Sequence, residues 1–398
     1  MLVVQNPLPL RRVRGFLFCV AVLLAMPAVA QDPDGLSVGL KLESLRISAV
    51  IDGRVERDER ALVDAPGNSV RTFAHQLARA EAPLDFLPIP DTPWLPKRWW
   101  LGAFADSQVW ASGVGAEALA VANSASAGAG LGAAVGTIPI ALRSQSLRRR
   151  GMSVAAQWAL PAPGESGAQL LMRGNWFTVT NFQAASADGA MNLAAGGAIG
   201  LQVNSNELAL GGQSLFIQTE PVHGQGFTLD ARLRWHRGSG SNPPLWVQAE
   251  VRDLGPPVRL PSVLQTVQAA NTQTIGRDAQ GYLQVQPLLS GQYRNVAVDV
   301  VVEPQFALSG GWGFATQWQA LAGIYSAAAV QRWHVGVQRG NQGSATGWGW
   351  RAKLWQGHEI PPALDIAVYW RNLHIGFQAD RLNPEAARVW GWSLGWVF

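Results

Sequence analysis

The end of the chain constrains the fold more than any other stretch. Trp390, Trp392, Leu394, Trp396 and Phe398 fall on one face of an extended segment, and Gly391, Ser393 and Gly395 fall on the other. Successive Cβ atoms of a strand point to opposite sides, so one side of this segment is broad and apolar and the other is small. Such a face needs a second sheet over it or lipid against it. The same period of two recurs upstream. Trp333, Val335 and Val337 alternate with His334, Gly336 and Gln338. Phe227, Leu229, Leu233 and Trp235 alternate with Asp230, Arg232, Arg234 and His236, and Leu245, Val247, Ala249 and Val251 alternate with Gln248, Glu250 and Arg252. Leu364–Trp370 and Leu373–Ala379 flank the two-residue turn Arg371-Asn372, a spacing that predicts a tight hairpin.

Composition selects lipid over a second sheet. Hydrophobic residues make up 48% of the 398 residues and charged residues only 15%, where about a quarter is usual in soluble domains. Yet no stretch after the N-terminus runs to the 18 or so apolar residues of a membrane helix, because Gly and polar residues interrupt every run. The other backbone that satisfies its hydrogen bonds inside a bilayer is a closed barrel. The expected fold is all-β, a transmembrane antiparallel β-barrel of about 14–16 strands, with a short N-terminal periplasmic or plug segment. A terminal Phe after such an alternation, in the strand 387–398, resembles the C-terminal signal of bacterial outer-membrane proteins. The resemblance implies an outer-membrane location and two partners, the barrel-assembly machinery and outer-membrane lipid.

The N-terminus agrees with export. Arg11, Arg12 and Arg14 precede the apolar run Phe16–Met26, and Ala28-Val29-Ala30 matches a small-x-small cleavage pattern. Residues 1–30 therefore read as a signal peptide. The sole cysteine, Cys19, leaves with it, which excludes a disulfide framework or thiolate metal site from the mature chain. Removing three arginines and no acid leaves 28 basic against 27 acidic residues, a charge of +1 that argues against nucleic acid as a partner. Residues 31–98 concentrate charge and proline, and Val70, Phe73, Ala74 and Leu77 recur at helical spacing within Ser69–Ala82. They read as a periplasmic or plug segment with one helix, or alternatively as the first hairpin of the barrel spanning 99–398. Ser262–Thr274 reads as a helical insertion or a surface loop.

The inward face is where chemistry would lie. Asp230, Arg232, Arg234, Glu250, Arg252, Asp299, Glu303, Arg351 and Lys353 are expected to line the lumen, either as an aqueous path or as paired charges that fill it. Mixed signs favour neither anions nor cations. Trp370, Trp390, Trp392, Trp396 and Phe398 are expected to face lipid. If the 229–252 hairpin is symmetric about Ser241, Arg232 lies opposite Glu250 and Asp230 opposite Arg252. Tyr369 and His374 are placed to share a structural hydrogen bond. Arg148-Arg149-Arg150, read as a loop before a strand near Met152, offers contacts to lipopolysaccharide phosphates or is simply solvated.

The six histidines fall in no metal-spaced motif, and the two Gly-x-Ser-x-Gly matches, at Gly35–Gly39 and Gly391–Gly395, lack the strand-to-helix turn of a nucleophile elbow. No enzyme activity, metal or cofactor is expected. Asp253-Leu254-Gly255 resembles a strand ending of fatty-acid-channel-like barrels, too short a match to carry a substrate over. Two functions fit: a channel or transporter for small solutes or hydrophobic compounds, or a structural barrel anchoring an envelope secretion or polysaccharide-export system through a periplasmic partner.

Overall fold

The computed structural model describes residues 46–53, 69–84, 95–115, 136–160, 166–193, 199–210, 223–237, 245–277, 283–315, 317–328, 330–340, 348–357, 360–370, 373–380 and 390–397. The expected signal peptide and Phe398 lie outside them. The described elements are all strands: β1 (Arg46–Gly53), β2 (Ser69–Pro83), β3 (Arg98–Val114), β4 (Gly136–Leu160), β5 (Ser166–Leu193), β6 (Ile199–Ala209), β7 (Gln225–Arg237), β8 (Leu245–Leu254), β9 (Val258–Arg277), β10 (Leu283–Val300), β11 (Gln305–Ala315), β12 (Trp318–Ala327), β13 (Val330–Arg339), β14 (Trp348–Gly357), β15 (Ile360–Trp370), β16 (Leu373–Ala379) and β17 (Trp390–Val397).

Every pairing is antiparallel. Followed from neighbour to neighbour, the ladder runs β1–β2–β3–β4–β5, crosses from β5 to β7, continues through β8 to β11, and proceeds in order to β17. β17 then pairs with β1, Arg46 opposite Val397. Among the described residues, all seventeen strands except β6, β9 and β10 make this circuit, a ring of fourteen. The outward row is apolar and open to the surroundings: Leu308, Ile324 and Trp333 lie in register across β11, β12 and β13, and Leu354, Ile366, Ile375 and Phe377 continue it. Trp370 is 56% exposed on this side. In the β16–β17 ladder Trp390, Trp392 and Trp396 stand opposite Ala379, Phe377 and Leu373.

The excluded strands form a branch. β4 and β5 run 25 and 28 residues, far beyond the 9–11 that cross a bilayer. The first half of β5, Ser166–Thr178, pairs with β7, and the second, Gln183–Leu193, pairs with β6. The fork falls at a bulge where Arg148 faces Asn181 but Arg149 faces Val179, leaving Thr180 as the extra residue; a bulge bends its strand and ends one partnership. β6 pairs with β9, and β9 with β10. β9 and β10 are inserted between β8 and β11, which are themselves neighbours in the ring.

Two expected helices are therefore strands. Ser69–Ala82 lies in β2, paired with β1 and β3, and Ser262–Thr274 lies in β9. Their apolar residues fall at helical spacing and divide between the two faces of a strand, and cross-strand pairing overrode the local pattern. β1 and β2 come from the 31–98 segment and join the ring as a hairpin. Arg148-Arg149-Arg150 is likewise not a loop but the middle of β4.

Candidate lumen site

Alternate positions of the first strands turn charged side chains inward, where water is scarce and each needs a partner. His75, Arg79 and Glu81 of β2, Asp106 and Gln108 of β3, Arg149 of β4 and Asn175 of β5 are all buried. So are Thr228 and Asp230 of β7, Asp253 of β8 and Gln305 of β11.

Arg149 is the centre. It donates to Asp106 at 2.5 Å and to Asp253, and its guanidinium lies 5.0 Å from the Phe177 ring. The imidazole Nε2 of His75 bonds Asp106 at 2.6 Å, and its Nδ1 meets the Gln305 amide at 3.3 Å. Gln108 and Gln305 both donate to Asp253, at 2.9 and 3.2 Å. Tyr325 donates to Gln305 at 3.1 Å. A second knot adjoins the first: Arg173 holds Glu81 at 2.7 and 2.9 Å, and Arg79 reaches Asn175 at 3.2 Å and Asp230 at 3.5 Å.

Several of these bonds join strands that are not neighbours. Arg149 links β4 to β8, Gln108 links β3 to β8, Arg79 links β2 to β7, and Gln305 links β11 to β2. They therefore cross the interior. The layer carries four carboxylates, and each has at least one arginine within salt-bridge distance.

An apolar layer packs against it. Val258, Leu260 and Val263 at the start of β9, with Val300 at the end of β10 and Val302 just after it, pack on Phe104, Leu147, Phe177, Val179 and Phe182. The base of the inserted hairpin thus sits against the inner side of β3, β4 and β5. Gly226 makes room for it: a Cβ there would lie 2.5 Å from Val258 Cγ2 and 2.7 Å from the Phe177 ring.

The expected lumen residues divide. Arg232 stands opposite Glu250, as the symmetric hairpin predicts. Asp230 does not stand opposite Arg252. Two steps along β7, Leu229 to Ala231, match three along β8, Leu254 to Val251, so Arg252 and Asp253 share the place opposite Asp230. Asp253 takes φ 61° in this bulge and gives its N–H to Asp230 at 3.0 Å. Arg252 pairs instead with Glu250 on its own strand. Arg351 approaches Asp365 at 3.5 Å, and Lys353 lies 5.6 Å from the Trp355 ring. Asp299 is on β10, outside the ring, exposed and 3.4 Å from Arg259; the alternation that suggested it belongs to the branch, not to the lumen. Glu303 follows β10, half-buried, with its N–H given to Gln108 at 3.2 Å. Tyr369 and His374 face each other but stack, with ring centroids 4.8 Å apart and 15° between planes, and among the described residues no hydrogen bond reaches His374 Nε2.

Sequence reasoning missed the central residues: His75, Arg79, Glu81, Asp106, Arg149 and Asp253. A signal was present. His75, Arg79 and Glu81 share one strand parity, as do Asp106 and Gln108, so strands at 69–83 and 98–114 would have turned them inward together.

His75, Asp106 and Asp253 offer three ligand atoms within 4.8 Å of one another. The guanidinium of Arg149 already binds both carboxylates, so a cation there would have to displace it. The residues fit a salt-bridged closure better than a metal centre. A hollow of about 900 Å³ is bordered both by outward residues, Leu233, Leu308, Ile324 and Trp333, and by Glu250, Tyr325 and Arg332 of the inward rows.

No family model matches the chain, and no curated protein does. Among solved structures, a TodX deltaS2S3 mutant monoaromatic hydrocarbon channel is 11% identical, with a TM-score of 0.36, covering 89% of this chain and 88% of the other. The siderophore receptor PirA from Pseudomonas aeruginosa is 8% identical, with a TM-score of 0.19, covering 89% and 81%. At these values the architecture rests on the strand pairings.

Proposed function

We propose that the protein is an outer-membrane channel or transporter for small solutes or hydrophobic compounds, held shut here by the Arg149 layer. The carrying observation is that the interior is crossed by polar contacts and by an inserted hairpin rather than filled by one continuous apolar core. Asp253 and Gln305 lie at the two points where the chain leaves and rejoins the ring, and both are bonded into the layer. Moving the hairpin base would break those bonds and open the lumen. His75 and Asp106 resemble half of a catalytic relay, but Nδ1 of His75 faces Gln305, not a nucleophile, and the proposal includes no catalytic step.

Location and partners belong to the same proposal. Arg148 and Arg150 point outward and are exposed, next along β4 to Met152, which is 58% exposed on the apolar face. Two arginines at the edge of an apolar wall suit lipopolysaccharide phosphates. The terminal strand suits the barrel-assembly machinery.

The sealed layer also favours the alternative, a structural barrel whose branch strands serve an envelope assembly. Planar-bilayer conductance separates the two. The channel reading expects small or intermittent conductance from the refolded protein and a several-fold rise when Arg149→Ala and Asp253→Asn break the layer. No conductance from either protein would favour the structural barrel.

A further inference from the structure

A histidine ties the base of the inserted hairpin to the ring, and its neighbours fix where its proton sits. His75 of β2 is 3% exposed, and both ring nitrogens have partners: Nε2 meets Asp106 at 2.6 Å and Nδ1 meets Gln305 Nε2 at 3.3 Å. Other contacts set the direction of each bond. Arg149 binds Asp106 and Asp253 as carboxylates, which only accept. Gln305 therefore turns its amide nitrogen to Asp253, at 3.2 Å, and its Oε1 accepts from the Tyr325 hydroxyl at 3.1 Å. The same amide nitrogen faces His75, so Nδ1 accepts and the Nε2–H donates to Asp106.

A second proton on this ring acts on its two sides in opposite ways. It strengthens the bond to Asp106, which becomes a bond between charges. On the other side it makes Nδ1 a donor facing the donor of Gln305. Turning the Gln305 amide over would offer Oε1 to the new N–H, but it would set the same oxygen against the Asp253 carboxylate and remove a donor from it. Asp253 would keep Arg149 and Gln108. Gln305 is the first residue of β11, and Asp253 lies in the bulge near the end of β8. Their bond therefore joins the two points between which β9 and β10 are inserted. The charged and titratable groups around His75 are Asp106 of β3, Arg149 of β4, Asp253 of β8 and Tyr325 of β12, with Asp52 of β1 at the register position opposite it. Histidine is the residue type among them that changes charge near neutral pH.

We propose that His75 is a proton-operated latch on the inserted hairpin: on gaining a proton it releases Gln305 from Asp253 and frees the hairpin base, while β2 stays joined to β3. The release stands on the bonds around His75 alone. Only its consequence, an opening of the lumen, rests on the channel reading. The apolar contacts of Val258, Leu260 and Val300 persist through the change, so the base shifts without detaching.

The test is a pulsed electron paramagnetic resonance distance between nitroxides at Ala105→Cys on β3 and Pro261→Cys on β9, both exposed positions. It is measured on the refolded full chain carrying Cys19→Ser, at about pH 8 and about pH 5. We expect a longer or broader distance distribution at the lower pH. His75→Gln, which can donate and accept but does not titrate, should give one distribution at both. Gln305→Met keeps the length of the side chain and removes the amide that opposes the proton. It should lose the response too, and it covers the case in which His75→Gln does not refold. An unchanged distribution in the parent, or a response that survives in either variant, overturns the proposal. Planar-bilayer conductance at the same two pH values should rise several-fold on acidification. Release of the hairpin without that rise overturns the channel reading alone, and an acid-induced rise that persists in His75→Gln overturns this proposal alone.

Discussion

Replacing Arg149 by Met tests the closed layer most directly. Arg149 contacts Asp106 at 2.5 Å and also Asp253, with side-chain exposures of 3%, 1% and 7% for the three groups. Met keeps most of the apolar stem and its packing on Phe177 but removes the charge. Deleting one partner of a buried pair costs about 3–5 kcal/mol, because the other charge is left uncompensated. Here two carboxylates lose their cation, which puts the expected loss at the upper end, about 4–5 kcal/mol less whatever is recovered by protonating one of them. The lost contact with the Phe177 ring adds about 0.5–2 kcal/mol. Urea titration of the refolded protein, followed by heat-modifiable mobility on gels, measures the change. The triple variant Asp106→Asn, Arg149→Met, Asp253→Asn removes the stranded charges as well. It should recover at least half of the loss, since a buried ionic group replaced as a whole is often close to neutral. A single variant within about 0.5 kcal/mol of the parent would refute the argument, because that is the range of inert surface substitutions. A triple variant no better than the single would show that packing, not charge, sets the cost.

Two further outcomes follow from the geometry and a third from the terminal sequence. Ile366→Arg places a charge on the outward row and should cost about 2–4 kcal/mol if that row faces the middle of a bilayer; folding yield into vesicles reads it, and an unchanged yield would move the apolar belt elsewhere. Gly226→Val forces a side chain into space held by Val258 and Phe177, so the hairpin base should lift. Faster protease cleavage within 254–263, without loss of the barrel, is the expected result, and an unchanged digestion pattern would contradict the packing. Deleting Phe398 should reduce the folded, heat-modifiable protein in the membrane, and normal assembly without it would remove the terminal residue from the assembly signal.

Strand periodicity is a local property, and it was legible. Alternation in Leu364–Ala379 and in Phe227–Arg252 follows from Cβ geometry within one segment, so both hairpins and the Arg232–Glu250 register could be read without knowing what lies beside them. The low charge and interrupted apolar runs likewise selected a barrel before any pairing was known. Ser69–Ala82 and Ser262–Thr274 were not legible, because Val70, Phe73, Ala74 and Leu77 share one face only as a helix, whereas pairing with β1 and β3 makes the segment a strand that splits them between its two faces. Nor was the bulge at Asp253, a single residue at positive φ that turned Arg252 back to Glu250 and gave the Asp253 N–H to Asp230. The closed layer belongs wholly to tertiary structure. His75 and Gln305 are 230 residues apart, and Gln108 and Asp253 are 145 apart. Only the curvature that brings β2, β3 and β4 to face β8 and β11 decides that these side chains meet. Alternation could propose which charges turn inward, but where they sit along the lumen depends on strand register and on the branch, which carried Asp299 out of the ring.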